Sequence, residues 1–222
     1  MAPFIEPPAQ LVAQKANLPN PDEHAIAYEA GTWAKWFERD NDLAGIIERH
    51  PLELSRRDVG RLATEALAGT GTWRGVFMAA MMWGYGPAGY GPWRVGKMLC
   101  KPEAIPIVTE AAHLIAEGQF GAAYDVFQLP WCKTAFATKF FYFVGLSAGG
   151  SWPLPVILDS VVASSLERLG IDVSQFATSW IPQVRANAKG YIRYVDTIDA
   201  WATTLGCRAD QIEMWLFTQR PG

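Results

Sequence analysis

The segment Trp73-Arg-Gly-Val-Phe-Met-Ala-Ala-Met-Met-Trp83 carries one charge and is otherwise buryable on every side. A helix that is apolar all the way round belongs inside a body of other helices rather than on its surface. A second stretch of this kind, Thr134-Ala-Phe-Ala-Thr-Lys139-Phe-Phe-Tyr-Phe-Val-Gly145, surrounds a single lysine with apolar and aromatic residues. No segment shows the period-2 alternation of a half-buried strand. At 222 residues the chain is long enough to bury most of its apolar surface. The expected fold class is mainly α, one domain over 1–222 with two helical lobes and a cleft between them.

Five prolines (Pro3, Pro7, Pro8, Pro19, Pro21) make residues 1–22 an extended arm. A helix is expected from Pro21 to the Asn41-Asp42 break, with Ile26, Trp33 and Trp36 on one side. Ser55 with Asp58 three residues on reads as a capping box opening a helix through Ala68. The run Trp83-Gly-Tyr-Gly-Pro-Ala-Gly-Tyr-Gly-Pro-Trp93-Arg94 is too rich in glycine and proline for a helix and reads as a loop, either packed on the core or open to a ligand. It is not GxGxxG after a strand, which disfavours a dinucleotide site. Further helices are expected over Trp93–Cys100, Pro102–Glu117, Gln119–Leu129, Ser160–Leu169, Pro182–Gly206 and Asp210–Phe217. In the long one, Arg185, Lys189 and Arg193 fall at i, i+4, i+8, either as a solvated stripe or as a cationic face for DNA.

Cys100, Cys132 and Cys207 are odd in number and far apart, so neither a disulfide framework nor a metal cluster is expected. They read as buried thiols. His24 and His50 have no second ligand at metal spacing, and His113 reads as a core histidine. No metal and no cofactor are expected. The net charge of −3 provides no general attraction to nucleic acid, so DNA binding needs a local basic face. No apolar run reaches ~20 residues and the first residues lack a signal peptide's basic and apolar regions, so the expectation is a cytoplasmic protein, not a membrane one.

Lys139 is answered twenty positions later (159 − 139) by Asp159, the only charge in Leu154-Pro-Val-Ile-Leu-Asp159-Ser-Val-Val-Ala-Ser-Ser-Leu166. An apolar setting strips hydration from a lysine and favours the neutral amine that a nucleophile needs. A carboxylate beside it can support a departing group or an oxocarbenium-like sugar. A buried ion pair, or a lysine snorkelling from a helix end, accounts for the same two residues.

The words Thr-Ala-Phe-Ala-Thr-Lys139 resemble the hairpin-and-lysine segment of helix-hairpin-helix DNA glycosylases, whose pattern is Leu-Pro-Gly-Val-Gly-Thr-Lys. Pro153-Leu-Pro-Val-Ile-Leu-Asp159 is similar to that family's Pro-Val-Asp segment. Bacterial proteins with the 8-oxoguanine glycosylase fold share the Phe-x-Thr-Lys-Phe-x-Tyr-Phe and Leu-Pro-x-Ile-Leu-Asp wording over residues 129–169. The resemblance implies that Lys139 attacks the anomeric carbon and that Asp159 supports base departure. It makes Phe143 one wall of a base pocket and Trp215 or Phe217 the other, with Trp83, Tyr85, Gly84 and Gly86 as further contacts. The hairpin glycines are replaced near Ala135 and Ala137. That leaves Lys133, the rival nucleophile, as a phosphate contact.

The expected function is a monomeric DNA glycosylase and AP lyase that flips out and excises an oxidised purine such as 8-oxoguanine from duplex DNA. Two alternatives use the same residues: a glycosylase acting on a modified base of foreign DNA, and a helical nucleic-acid or protein-binding module without turnover.

Overall fold

The computed structural model describes residues 5–37 and 40–219, so Pro3 and the rest of residues 1–4 of the expected arm lie outside the described residues. The chain is predominantly helical. It runs α1 (Ala9–Ala13), β1 (Ala25–Ala27), α2 (Ala30–Trp36), α3 (Asn41–Arg49), β2 (Glu53–Ser55), α4 (Arg56–Leu67), α5 (Trp73–Tyr85), α6 (Gly91–Leu99), α7 (Ala104–Ala116), α8 (Phe120–Val126), α9 (Thr134–Ala148), α10 (Ser160–Arg168), α11 (Ala188–Leu205) and α12 (Ala209–Thr218). Short 3-10 turns interrupt the arm and precede α11.

The two all-round apolar segments are the central helices. In α5 almost every residue from Trp73 to Tyr85 is buried, and in α9 the buried run is continuous from Ala137 to Gly145. They pack on each other, and α4 and α7 pack on both. Thr72 accepts the Gly75 amide at the start of α5, and the expected Ser55–Asp58 capping box opens α4. The buried apolar residues form one contiguous cluster.

Several boundaries differ from expectation for local reasons. The helix expected from Pro21 gives way to β1, where Ile26 pairs with Leu54 of β2 in a two-stranded antiparallel sheet. Three paired residues are too short a run to show alternation in sequence. Most of the glycine-aromatic stretch is helical: α5 continues to Tyr85, and α6 starts at Gly91 with Pro92 inside its first turn, where a missing N–H breaks no hydrogen bond. Only Gly86–Tyr90 connects them. At Gly86 (φ 55°) a Cβ would lie 2.9 Å from Ile26 Cγ2, so both conformation and space require glycine. The long helix begins at Ala188, not Pro182, which leaves Arg185 outside it in a bridge with Ser179. His113 is exposed, and of the cysteines only Cys132 is buried.

Between α9 and α10 the chain is extended without being a strand, yet Val156, Ile157 and Leu158 are buried. Buried backbone groups need partners. Side chains supply them: Thr138 Oγ1 accepts the Leu158 amide (3.1 Å), Tyr191 Oη donates to Val156 O (3.2 Å) and Tyr194 Oη donates to Ile157 O (2.8 Å). Gly145 lets this segment lie against α9, because a Cβ there would fall 2.4 Å from Pro155 Cδ. Gly145→Ala should therefore lower stability in urea by about 1–3 kcal/mol through overpacking. Gly45→Ala, whose Cβ would meet nothing within 4 Å in mid-α3, should raise it by roughly 0.5–1 kcal/mol.

Candidate active site

The segment held in this way ends at Asp159, the N-cap of α10. Its Oδ1 accepts the amides of Val161 and Val162, each at 3.0 Å, which fixes the carboxylate and turns Oδ2 toward α9. Lys139 Nζ lies 3.5 Å from Oδ2 and also donates to Ala135 O at 3.4 Å. Each residue is 8% exposed. The lysine stem lies across Gly84 of α5, where a Cβ would come within 2.9 Å of Lys139 Cδ. On its other side the ammonium sits 5.6 Å from the Phe136 ring centroid.

The pair lies on the wall of a cavity of about 400 Å³, lined also by Trp83, Gly84, Tyr85 and Gly86 from the end of α5 and by Phe217 from α12. Tyr85 stacks on Phe136 with centroids 4.1 Å apart, and Trp83 donates its indole N–H to His24 O at 3.2 Å. The wall is thus aromatic and fixed.

A second ion pair borders the same cavity. Arg56 Nη1 donates to Glu213 Oε2 at 2.6 Å and Nη2 to Oε1 at 3.3 Å, and both side chains are 1% exposed. The guanidinium lies 5.2 Å from the Trp83 ring centroid and 5.0 Å from that of Tyr142. Burial pushes the Glu213 carboxyl above its ordinary value even though Arg56 opposes this. Burial works against the Arg56 charge, but Glu213 and Tyr142 together hold the guanidinium more basic than usual.

The expected site residues separate into three groups. Lys139, Asp159, Trp83, Gly84, Tyr85, Gly86 and Phe217 meet at one cavity. Phe143, one turn beyond Lys139, is fully buried with its ring against the edge of Trp83 (5.6 Å), and Trp215 is turned away, donating its indole N–H to Gln14 Oε1 at 2.7 Å. Neither is among the residues lining the cavity. On α12 positions 213 and 217 share a face while 215 points elsewhere. Lys133 and Arg185 line a separate cavity of about 220 Å³ at the start of α9. Lys189 is exposed on α11, and Arg193 donates to Gln175 Oε1. The stripe expected from Arg185, Lys189 and Arg193 is therefore not continuous along one helix.

The hairpin also lies elsewhere than expected. Ala135 and Ala137 are inside α9, and the turn is Leu129–Lys133, with Trp131 at φ +59°. Leu129-Pro130 opens this turn, but it stands ten residues before Lys139 rather than the six of the family pattern. Arg56 and Glu213, 157 residues apart, were missed by sequence reasoning. The signal was present at Glu213, a lone acid between Ile212 and Met214-Trp215, the same oddity that marked Lys139. Among the described residues no group of three or more His, Cys, Asp or Glu is placed to hold a metal ion, and no helix is long and apolar enough to cross a membrane.

A helical body with a buried lysine–carboxylate pair on an aromatic cavity is the arrangement expected of a base-excising enzyme. Residues 19–217 match the family model described as "Putative 8-oxoguanine DNA glycosylase OGG-like protein", and the chain belongs to that family of DNA glycosylase-like proteins. Comparison with curated proteins and with solved structures finds no match.

Two substitutions test the framework. Tyr194→Phe leaves the buried Ile157 carbonyl without its donor and should cost about 1–3 kcal/mol in denaturant unfolding. Arg56→Met leaves Glu213 as an uncompensated buried carboxylate and should cost about 3–5 kcal/mol near pH 8. A carboxyl whose folded pKa is raised favours folding when protonated, and that contribution disappears as pH rises through the folded value. The loss in Arg56→Met should therefore shrink as pH falls toward the acid range, measured as urea midpoints across pH.

Proposed function

We propose that the chain is a DNA glycosylase with AP lyase activity that takes a flipped, modified purine such as 8-oxoguanine into the Lys139–Asp159 cavity. The observation that carries this reading is an amine and a carboxylate 3.5 Å apart, nearly buried, on the wall of an aromatic cavity of about 400 Å³. That volume falls within the range of small-molecule pockets. In this reading Lys139 passes a proton to Asp159 and its nitrogen attacks the anomeric carbon. The glycosidic bond breaks with its electron pair leaving on the base, which takes up a proton. The ring oxygen then leaves that carbon and is protonated. The resulting protonated imine permits β-elimination of the 3′ phosphate.

Trp83, Tyr85 and Phe217 provide flat or edge contacts for the base, and Gly84 lets the Lys139 stem lie close against α5 at the cavity wall. Phe143 supports Trp83 from behind. The Arg56–Glu213 pair is the polar wall available to the edge of a base. Helix α8, the Leu129–Lys133 turn and α9 take the part of the helix-hairpin-helix, with Lys133 and Arg185 as phosphate contacts and Lys189 and Arg193 further along the DNA. DNA lies in a cleft between two helical lobes, and the enzyme acts as a monomer.

Borohydride reduction in the presence of an 8-oxoguanine duplex tests the assignment. A covalent adduct is expected from the wild type and from Lys133→Gln but not from Lys139→Gln. Asp159→Asn should slow base release by about 100-fold or more. Tight binding with no adduct on any oxidised-purine duplex would leave the chain a binding module. Binding should also weaken with added salt, with a shallower slope when Lys133 or Arg185 is neutralised.

A further inference from the structure

On and near α6 and the turn before α9 the molecule exposes large aromatic side chains that the reaction does not use. Trp93 on α6 is 38% exposed, Trp131 in the hairpin turn is 42% exposed, and Tyr90 at the start of α6 is 54% exposed. The Trp93 and Trp131 ring centroids are 5.7 Å apart at an interplanar angle of 53°, and the Arg94 guanidinium lies 4.5 Å over the Tyr90 ring. Tyr90, three residues before Trp93, is joined to the cavity through rings in contact. Tyr90 meets the edge of Tyr85 at 5.7 Å, and Tyr85 stacks on Phe136, the ring under the Lys139 ammonium.

Charge and backbone set this face apart. Residues 86–101 and 128–158 contain no aspartate or glutamate but carry Arg94, Lys97, Lys101, Lys133 and Lys139, in a chain whose net charge is −3. Among the described residues, Arg94, Lys97, Lys101 and Lys133 enter no ion pair. Trp131 has φ +59°, a conformation that bulky L residues rarely adopt and that tends to occur at ligand sites. A turn needing this φ is served best by glycine. Tryptophan there presents part of a large indole to solvent at a conformational cost.

We propose that Tyr90, Trp93 and Trp131 form a stacking platform for unpaired bases of the DNA strand next to the cavity, with Arg94, Lys97 and Lys133 holding its phosphates. Aromatic faces interleaved with unpaired cations are what a single strand with unstacked bases requires. The inference deepens the glycosylase reading and takes from it only that the polymer is DNA. It assigns the protein a preference for strands already open around the target, such as single strands, bubbles or frayed ends, over intact duplex.

The test uses the wild-type chain and undamaged DNA, so it does not depend on turnover. Fluorescence anisotropy would compare a short single strand, the same sequence as a duplex, and a strand of equal length made of tetrahydrofuran abasic units. The base-bearing single strand is expected to bind about 10-fold or more tighter than the abasic one and to quench tryptophan emission. Trp131→Gly suits the backbone at φ +59° and should keep or raise the melting temperature. It should nevertheless lose most of that 10-fold advantage, as should Trp93→Ala. Equal affinity for base-bearing and abasic strands overturns the proposal, as does unchanged single-strand binding in Trp131→Gly. A dimer in sedimentation that Trp131→Gly dissolves, with DNA affinity unaltered, would also overturn it and assign the face to a second copy of the chain. An absent borohydride adduct would count against the glycosylase reading and leave these measurements standing.

Discussion

An ammonium or carboxylate withdrawn from water loses several kcal/mol of hydration unless partners replace it. Around the cavity this chain withdraws four such groups, and their pairing requires elements distant in sequence to meet. Lys139 needs Asp159, and Asp159 can reach it only as the N-cap of α10, so the extended segment before it must be buried against α9 and α11. That burial in turn requires Thr138, Tyr191 and Tyr194 to satisfy a backbone that has no strand partner. Arg56 and Glu213 tie the first turn of α4 to α12 in the same way, and Trp83 packs under the guanidinium. The cavity is the space left where these two pairs and the end of α5 converge. Truncating one partner of either pair therefore disturbs more than one contact.

The parts legible in the sequence are those whose signal is local. Continuous apolarity marked α5 and α9 as the central helices, a serine with an aspartate three residues on marked the start of α4, and a lysine and an aspartate out of character marked the site. Features that depend on distant partners were not legible. Nothing near Tyr191 and Tyr194 in sequence shows that their hydroxyls end on carbonyls of a loop roughly 35 residues earlier. Glu213 could have been noticed by the same rule as Lys139, whereas its partner Arg56 stands among other charges at a helix start and is distinguished only by burial. Glycine and proline counts misled at residues 83–94, because proline is harmless in a first helical turn and glycine at 84 and 91 serves close approach to Lys139 and Tyr85.

The turn ahead of α9 lies four residues earlier than the letters suggested. Matching glycines pointed to Ala135 and Ala137, whose helical conformation needs none. The left-handed residue of the turn, two positions beyond Leu129, is a tryptophan. A left-handed non-glycine residue costs of order 1–3 kcal/mol, which the partial burial of an indole left 42% exposed offsets at about the same size. The conformation belongs to the turn between α8 and α9, and glycine would adopt it without that strain.

Charge segregation resolves the conflict between an acidic chain and a DNA-glycosylase family. Net charge bears on long-range attraction, which is screened over about 10 Å at moderate salt, so a strand in contact responds to the nearest groups. Asp22, Asp40, Asp42, Asp58 and Asp210 are each engaged by an arginine, and those ion pairs lie on elements other than α6 and the hairpin turn. The acid-free stretches 86–101 and 128–158 together supply the hairpin, Lys139 and the wall at Gly86. Arg94, Lys97, Lys101 and Lys133 in these stretches enter no ion pair among the described residues, so a phosphate backbone meeting them faces no neighbouring carboxylate from the same stretches.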